Sequence, residues 1–194
     1  MRRAIAVTAA LGVLALSGCA AEAVDRVAAL RCHQPDDQAS HTLVLMAQAV
    51  PTASALPCLE AVPADWAIHD FSARRGEARF ELIYLEMGSQ NPRGVHVRMT
   101  RRCDLDGARE GPSDRPGMRR YDLQKRDGSA YSDKRFYQYP GACVEYHFDL
   151  RGTGANDQAT DVSKALGFVP RDTIRRQIRE MTDGRLELDP SDAP

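Results

Sequence analysis

The sequence predicts an α+β fold, in which an antiparallel sheet of about six strands has a C-terminal helix packed on one face. Between residues 66 and 150, short strand-like segments alternate with turn residues at hairpin spacing. Beyond residue 160 the apolar residues recur at helical spacing instead. Strands followed by helices favour an α+β domain over an alternating α/β domain. The 194 residues, 43% of them hydrophobic, are enough for one domain with a core.

The segment before the predicted sheet gives an ambiguous signal. Residues 43–50 are mostly apolar, but their pattern does not assign them to one type of element. Pro51, Pro57 and Pro63 follow at short intervals, and proline interrupts helices and paired strands alike. We therefore expect an irregular segment between residue 50 and the sheet.

The first three strands are predicted at residues 66–72, 78–87 and 95–103. Residues 74–77 form the turn between the first two strands. The second strand is apolar on both faces, which predicts a central position or a helix against one face. The third alternates cleanly, with valine and methionine on one face and histidine, arginine and threonine on the other.

Three further strands are predicted at residues 118–126, 131–139 and 143–150, after a long polar loop at 104–117. Asp127-Gly128 lies between the first two of these strands. This pair is a strong hairpin signal because glycine tolerates the positive φ of a tight turn. The last strand places four apolar side chains on one face: Val144, Tyr146, Phe148 and Leu150.

The C-terminal helix is predicted over residues 170–183. Pro170 suits the first helical position, where a backbone N–H has no partner within the helix, and Asp172 favours the positive end of the helix dipole. Gly184 ends the helix. Weaker patterns indicate a short helical turn at 161–166 and an edge strand at 185–189. The side chains expected to be buried in the main helix are Ile174, Ile178 and Met181.

The first nineteen residues have the layout of an export signal. Arg2 and Arg3 precede a 13-residue apolar run, which is followed by small residues. The stretch Leu16-Ser17-Gly18-Cys19 resembles the lipobox of bacterial lipoproteins. The resemblance implies cleavage between Gly18 and Cys19 and attachment of diacylglycerol, and usually a further acyl chain, to Cys19. It also implies the location, which is the extracytoplasmic face of the cell membrane.

The resemblance divides the chain into three regions. Residues 1–18 are the lipoprotein signal peptide, 19–42 carry the anchor and a tether, and 43–194 form a single α+β domain. Within the second region, residues 20–31 fit a short amphipathic helix or a flexible, alanine-rich tether. Removal of residues 1–18 leaves 24 basic and 27 acidic residues, a formal charge of −3.

Lipidation of Cys19 would leave an even number of cysteines. In an oxidising compartment four cysteines predict two disulfides, with three possible pairings. We favour Cys32–Cys58 and Cys103–Cys143, which join cysteines within the same half of the chain. Metal binding is the rival interpretation, but the sequence has no C-x-x-C spacing and no paired histidine motif, so no metal or cofactor is expected.

A candidate polar site lies on the last predicted strand. Period-two spacing places Glu145, His147 and Asp149 on one face together with Cys143. These residue types supply metal ligands or acid–base chemistry. The alternative is a solvated face with cross-strand ion pairs, for which Arg98 or Arg120 would provide the cations. This alternative is favoured.

A candidate basic face lies on the middle strands. Residues 93–135 hold twelve basic and seven acidic side chains, although the whole chain is balanced at 26 to 27. That balance argues against nucleic-acid binding by bulk charge. A local basic face would contact an anionic envelope polymer, lipid head groups or an acidic envelope protein. The alternative is that these arginines pair with neighbouring carboxylates. The residues assigned to the face are Arg98, Arg102, Arg120 and Lys134.

Aromatic residues are concentrated in the last two strands, where they could stack on sugar rings or form the apolar side of the sheet. Core packing is the favoured interpretation, because aromatic residues have high β-propensity. If any face solvent, the shared parity of Tyr131, Tyr137 and Tyr139 points to those three.

These patterns support two functional hypotheses. The first is a membrane-anchored extracytoplasmic lipoprotein that acts as a binding or accessory module of the cell envelope. The second is a small envelope hydrolase with dispersed polar residues around Glu145, His147 and Asp149. The sequence contains no G-x-S-x-G, H-E-x-x-H or P-loop motif, so the binding module is favoured and no catalytic residue is assigned. A structural surface protein without a small ligand is a third possibility.

Overall fold

A computed structural model describes residues 30–33, 38–85, 93–127, 130–152 and 154–188. The expected signal peptide, the lipobox with Cys19, and residues 20–29 of the expected tether lie outside the described residues. So do Gly128 of the expected hairpin turn, Asp189 and the side chain of Tyr131.

Within these residues the chain forms three helices and nine strands. The helices are α1 (His41–Ala49), α2 (Ala155–Ala165) and α3 (Arg171–Met181). The strands are β1 (Ala55–Leu59), β2 (Trp66–Arg74), β3 (Glu77–Tyr84), β4 (Arg93–Thr100), β5 (Arg109–Gly111), β6 (Arg119–Asp127), β7 (Ala130–Tyr139), β8 (Ala142–Arg151) and β9 (Leu166–Pro170).

The predicted α+β class is confirmed. Seven strands form the main sheet in the order β2-β3-β4-β8-β7-β6-β5, and every neighbouring pair is antiparallel. The sheet therefore has one strand more than the six expected. The additional strand is β5, which lies inside the expected polar loop at 104–117 and pairs with β6.

A second, two-stranded sheet was not expected from the sequence. The proline-rich segment after α1 contains β1, and β1 pairs antiparallel with β9, more than 100 residues later in the chain. Pro57 lies opposite Phe168 in this pair. Proline is tolerated here because each strand of a two-stranded sheet has one edge without a strand partner, where a missing N–H breaks no ladder.

The helices cover one face of the main sheet. Helix α1 contacts β2 and β3, and α2 contacts β7 and β8. The apolar side chains of β8, from Val144 to Leu150, are buried on this face as predicted. In the ambiguous segment 43–50, residues 43–49 belong to α1, and Leu43, Met46 and Ala47 are buried at helical spacing.

The C-terminal helix is confirmed as α3, which contacts α1 and β9. Ile174 and Ile178 are buried as predicted, but Met181 is 47% exposed. Met181 is the last residue of the helix, where its sulfur accepts a hydrogen bond from the backbone N–H of Ala39 at 3.1 Å. The helix end thus lies at the margin of the core.

Two other C-terminal predictions differ from the structure. The short turn expected at 161–166 is the end of α2, which begins at Ala155. The expected edge strand at 185–189 is not found in the described residues 185–188. Leu188 is buried there although it is not part of a strand. The apolar pattern that predicted a strand therefore comes down to one buried side chain. No helix among the described residues is long and apolar enough to cross a membrane.

Both favoured disulfides are present. Cys32–Cys58 joins the start of the described chain to β1, where the N–H of Cys32 also donates to the carbonyl of Leu59 at 2.9 Å. Leu30 is buried beside it, so packing with the domain begins before the expected boundary at residue 43. Cys103–Cys143 joins the loop after β4 to the start of β8.

Candidate functional site

The candidate site lies on the face of the main sheet opposite the helices. Strand alternation places Glu145, His147 and Asp149 on this exposed face, because their neighbours in β8 are buried under the helices. The three predicted polar residues therefore share a face. Successive members are ~7 Å apart along the strand, and the two carboxylates ~13 Å apart, so the three do not converge on one point.

The neighbouring strands place ionisable side chains beside His147. Residue 147 of β8 lies between His96 of β4 and Lys134 of β7, and the two histidine rings are 5.8 Å apart. His96 Nδ1 lies 2.9 Å from an oxygen of Glu81 in β3. A row of four ionisable side chains thus crosses four strands: Glu81, His96, His147 and Lys134.

Ion pairs engage the carboxylates of the predicted polar site. Lys134 Nζ lies 2.7 Å from Glu145 Oε1, and Arg151 Nε lies 3.4 Å from Asp149 Oδ1. The Lys134–Glu145 pair between β7 and β8 is the predicted cross-strand ion pair, with Lys134 as the cation rather than Arg98 or Arg120, whereas Arg151 pairs with Asp149 within β8. The described residues contain no group of three or more His, Cys, Asp or Glu side chains arranged to hold a metal ion.

Arg98 and Glu77 form a further ion pair on the same face. The guanidinium of Arg98 donates to Glu77 at 2.8 Å, and Arg74 donates to the other oxygen of Glu77 at 3.0 Å. Partial burial raises the pKa of Glu77, but the hydrogen bonds from the two arginines outweigh it and hold this pKa below its ordinary value. Glu77 therefore remains ionised below the pH range in which an isolated glutamate takes up a proton.

The pKa of His147 is lowered. Partial burial is the largest cause, because it penalises the charged imidazolium. The nearby charges of Lys134 and His96 act in the same direction and outweigh the opposite effect of Glu145 and Asp149. His147 is therefore neutral at pH 7, with a ring nitrogen able to accept a hydrogen bond.

A cavity of about 390 Å³ opens on this face beside the Cys103–Cys143 disulfide. The cavity joins the predicted polar site to the predicted basic face. It is lined by Glu145 from the polar site and by three residues from the basic face. Those three residues are Arg98, Arg102 and Lys134. Asp104 and Asp106 stand in the loop at the rim, where the N–H of Asp106 donates to Asp104 Oδ1 at 3.1 Å.

The prediction that Arg120 belongs to this basic face is wrong. In β6 Arg120 lies opposite Tyr137, whose ring packs against Phe168 of β9 on the helix-covered side of the sheet. The Arg120 guanidinium binds Asp122 at 3.0 Å, and Asp122 also accepts from Arg135. Strand parity thus sends Arg120 to the opposite face from Arg98 and Lys134.

Arg102 differs from the other cations of the cavity in having no carboxylate partner. Lys134 is held by Glu145 and Arg98 by Glu77, whereas no carboxylate in the described parts of the chain forms an ion pair with the exposed Arg102 guanidinium. A guanidinium offers parallel N–H donors that match a carboxylate or a phosphate. The arrangement can therefore hold one anionic group between Arg102 and its cationic neighbours.

Sequence reasoning missed the apolar floor of the cavity. Phe136 faces the exposed side of β7, yet it is buried and lines the cavity together with Leu123 of β6. The signal in the sequence was an apolar residue, Phe136, between Lys134 and Gln138 on the otherwise polar face of this strand. The core interpretation of the aromatic residues is confirmed for Tyr137 and Tyr139, which pack on Phe168 and are not on the solvent side.

No family model, no curated protein and no solved structure matches this chain.

Proposed function

We propose that the chain is a lipid-anchored, extracytoplasmic binding module that holds an anionic group of an envelope polymer in the cavity beside Cys103–Cys143. The observation that carries the proposal is the Arg102 guanidinium, which lines this cavity without a carboxylate partner among the described residues. The other cations of the cavity are already paired, so Arg102 is the group that an anion would meet first.

Two independent features support the extracytoplasmic location. The Leu16–Cys19 stretch resembles a lipobox, and the chain carries two disulfides that an oxidising compartment would preserve. Two or three acyl chains hold a protein on a membrane stably, whereas one chain gives only marginal residence. A ligand within the envelope would therefore be close to the protein at all times.

The charge balance of the cavity favours recognition of a single anionic group. Within the described part of the chain the charged lining residues are balanced, with three cations, namely Arg98, Arg102 and Lys134, and three carboxylates, namely Asp104, Asp106 and Glu145. Such a site does not attract polyanions by bulk charge. It selects an anion small enough to reach the guanidinium without approaching the carboxylates at the rim, such as a phosphodiester or a single carboxylate.

Titration with soluble poly(glycerol phosphate) at low salt tests the proposal. We expect saturable binding that weakens at least about tenfold in Arg102→Gln, because a hydrogen-bonded charge pair contributes ~1.5–3 kcal/mol. The matched control is Arg176→Gln, which removes an exposed arginine of α3 outside the cavity and should leave the affinity unchanged. Undetectable binding at low salt, or equal losses in the two variants, would contradict the proposal.

A further inference from the structure

A second cavity, of about 650 Å³, lies away from the exposed sheet face. It opens between the residues preceding β2, the end of β3, and helix α2. Its volume is within the range of small-molecule sites, and most of its wall is apolar, as is usual in such sites. The side chains that give it chemical character are Asp65, Trp66, Tyr84, Asp157, Asp161 and Lys164.

An aromatic pair forms one wall of this cavity. Trp66, the first residue of β2, lies opposite Tyr84, the last residue of β3, and the two rings meet edge to face at 5.5 Å. Aromatic rings carry negative charge on their faces and attract cations placed over them. The wall therefore offers apolar contact, and a ring face turned to the cavity would favour positive charge.

Carboxylates stand next to the aromatic pair. Asp65 has a φ of 64°, and its carbonyl accepts the N–H of Leu85 at 2.6 Å, which fixes this residue at the cavity wall. Asp157 and Asp161 are one turn apart on α2, so they lie on the same side of the helix. Lys164 Nζ is 3.6 Å from Asp161. Counted over the described lining residues, three carboxylates and one ammonium give two net negative charges.

We propose that this cavity binds a small organic cation, meaning a primary or quaternary amine on an apolar body. The carboxylates of Asp65 and Asp157 would neutralise the charge, and the rings of Trp66 and Tyr84 would contact the apolar part. A simple metal ion has no apolar part to pack on the rings, and an anion would be repelled by the net charge. The site is separate from the cavity beside Cys103–Cys143, and neither proposal depends on the other.

Tryptophan fluorescence reports on this cavity directly, because Trp66 is the only tryptophan of the chain. The full-length chain, purified in nonionic detergent, is titrated with putrescine and with tetramethylammonium at constant ionic strength. We expect a saturable change in Trp66 emission and a rise in melting temperature with at least one of the two amines. Sodium chloride at the same ionic strength should produce neither effect.

Two variants test the role of the carboxylates. Asp157→Asn removes a charge from an exposed helical position and should weaken amine binding about tenfold. Asp65→Asn/Asp157→Asn should weaken it further, and asparagine, like aspartate, tolerates the left-handed φ of residue 65. The matched control is Asp172→Asn, which removes an exposed aspartate of α3 outside the cavity and should leave the affinity within about twofold of wild type.

Three results would overturn the proposal. The first is no change in emission and no thermal stabilisation with either amine. The second is an unaltered amine affinity in Asp157→Asn. The third is tighter binding of a neutral sugar such as methyl glucoside than of either amine, which would make the aromatic pair a sugar-stacking wall.

Discussion

His147 shows how neighbours decide the chemistry of a single side chain. Its position on β8 was predictable from alternation, but its protonation was not, because that depends on residues from two other strands. Burial, Lys134 and His96 together lower its pKa. The histidine is then a neutral member of a polar row, and its carboxylate neighbours in β8 are occupied by Lys134 and Arg151.

The lowered pKa of His147 predicts how stability depends on pH. The folded state binds a proton less readily than the unfolded chain, whose histidines titrate near about 6.5. The stability that neutral His147 contributes to the folded state is therefore fully present above the pKa of the unfolded chain. It is lost as the pH falls from that pKa through the lower pKa of His147 in the folded state. His147→Gln should reduce the fall in melting temperature between about pH 7.5 and pH 5.

The control for this prediction is His41→Gln, which replaces an exposed histidine at the first residue of α1. Melting curves of both variants across the same pH range provide the measurement. If His147→Gln followed the wild-type pH dependence, the burial and the nearby cations would not govern the titration of this residue.

For two buried tyrosines, we expect removal of the hydroxyl to change the free energy of unfolding differently. The hydroxyl of Tyr146 is buried and has no hydrogen-bond partner within the described structure, whereas that of Tyr139 donates to the carbonyl of Ala55 at 2.8 Å. Tyr146→Phe should therefore leave the free energy of unfolding unchanged or raise it by ~1 kcal/mol. Tyr139→Phe should lower it by ~1–2 kcal/mol, because the Ala55 carbonyl loses its donor. Urea denaturation of the two variants distinguishes these outcomes, and equal destabilisation would show that the Tyr146 hydroxyl is satisfied.

At the scale of elements, the predictable part of the fold is the part with short-range connections. The hairpins β2-β3, β6-β7 and β7-β8 join neighbours in the chain, so turn residues and alternation locate them. The β1-β9 pair joins segments over 100 residues apart, and nothing local specifies it. The face of Arg120 was missed for a related reason, since a strand's two faces are equivalent until its partners are known.

The β7-β8 turn predicts the effect of one glycine substitution. Gly141 has a φ of +80°, and a Cβ there would collide with the backbone carbonyl of Thr52 in the loop before β1. Gly141→Ala should therefore destabilise the protein by more than ~2 kcal/mol, since it adds a backbone collision to the cost of a left-handed alanine. Gly76, in the β2-β3 turn, has a similar φ of +88° but open space around the added atom.

Gly76→Ala is thus the control for the conformational cost alone, and it should destabilise by only ~1 kcal/mol. Chemical denaturation measures the difference between the two variants. Equal losses would mean that the loop at Thr52 moves aside at little cost, and that the β7-β8 turn does not hold this loop in place.

At the scale of the whole molecule, one side of the main sheet carries the core and the other carries the charged cavity. The helices, the small sheet and the Cys32–Cys58 disulfide lie with the core, and Cys103–Cys143 borders the cavity. Cys19, if lipidated, is eleven residues before Leu30, the first residue that the structure describes, which is buried. An extended chain of that length reaches at most about 40 Å, so the anchor would keep both cavities close to the membrane.

The lipid anchor itself is the last prediction, and the placement of both proposed sites near a membrane depends on it. Peptide mass analysis of the chain made in a bacterial host should find an N-terminal peptide that begins at Cys19 with a diacylglycerol and usually a further acyl chain. Cys19→Ser should abolish incorporation of labelled palmitate, because the thioether to diacylglycerol needs the cysteine sulfur and a hydroxyl is a far weaker nucleophile than a thiol. Ser17→Ala retains a small residue before the cleavage site and should be labelled as the wild type is. A mature chain with a free Cys19 thiol, or palmitate labelling that persists in Cys19→Ser, would contradict the anchor and leave the two cavities as sites of an unattached protein.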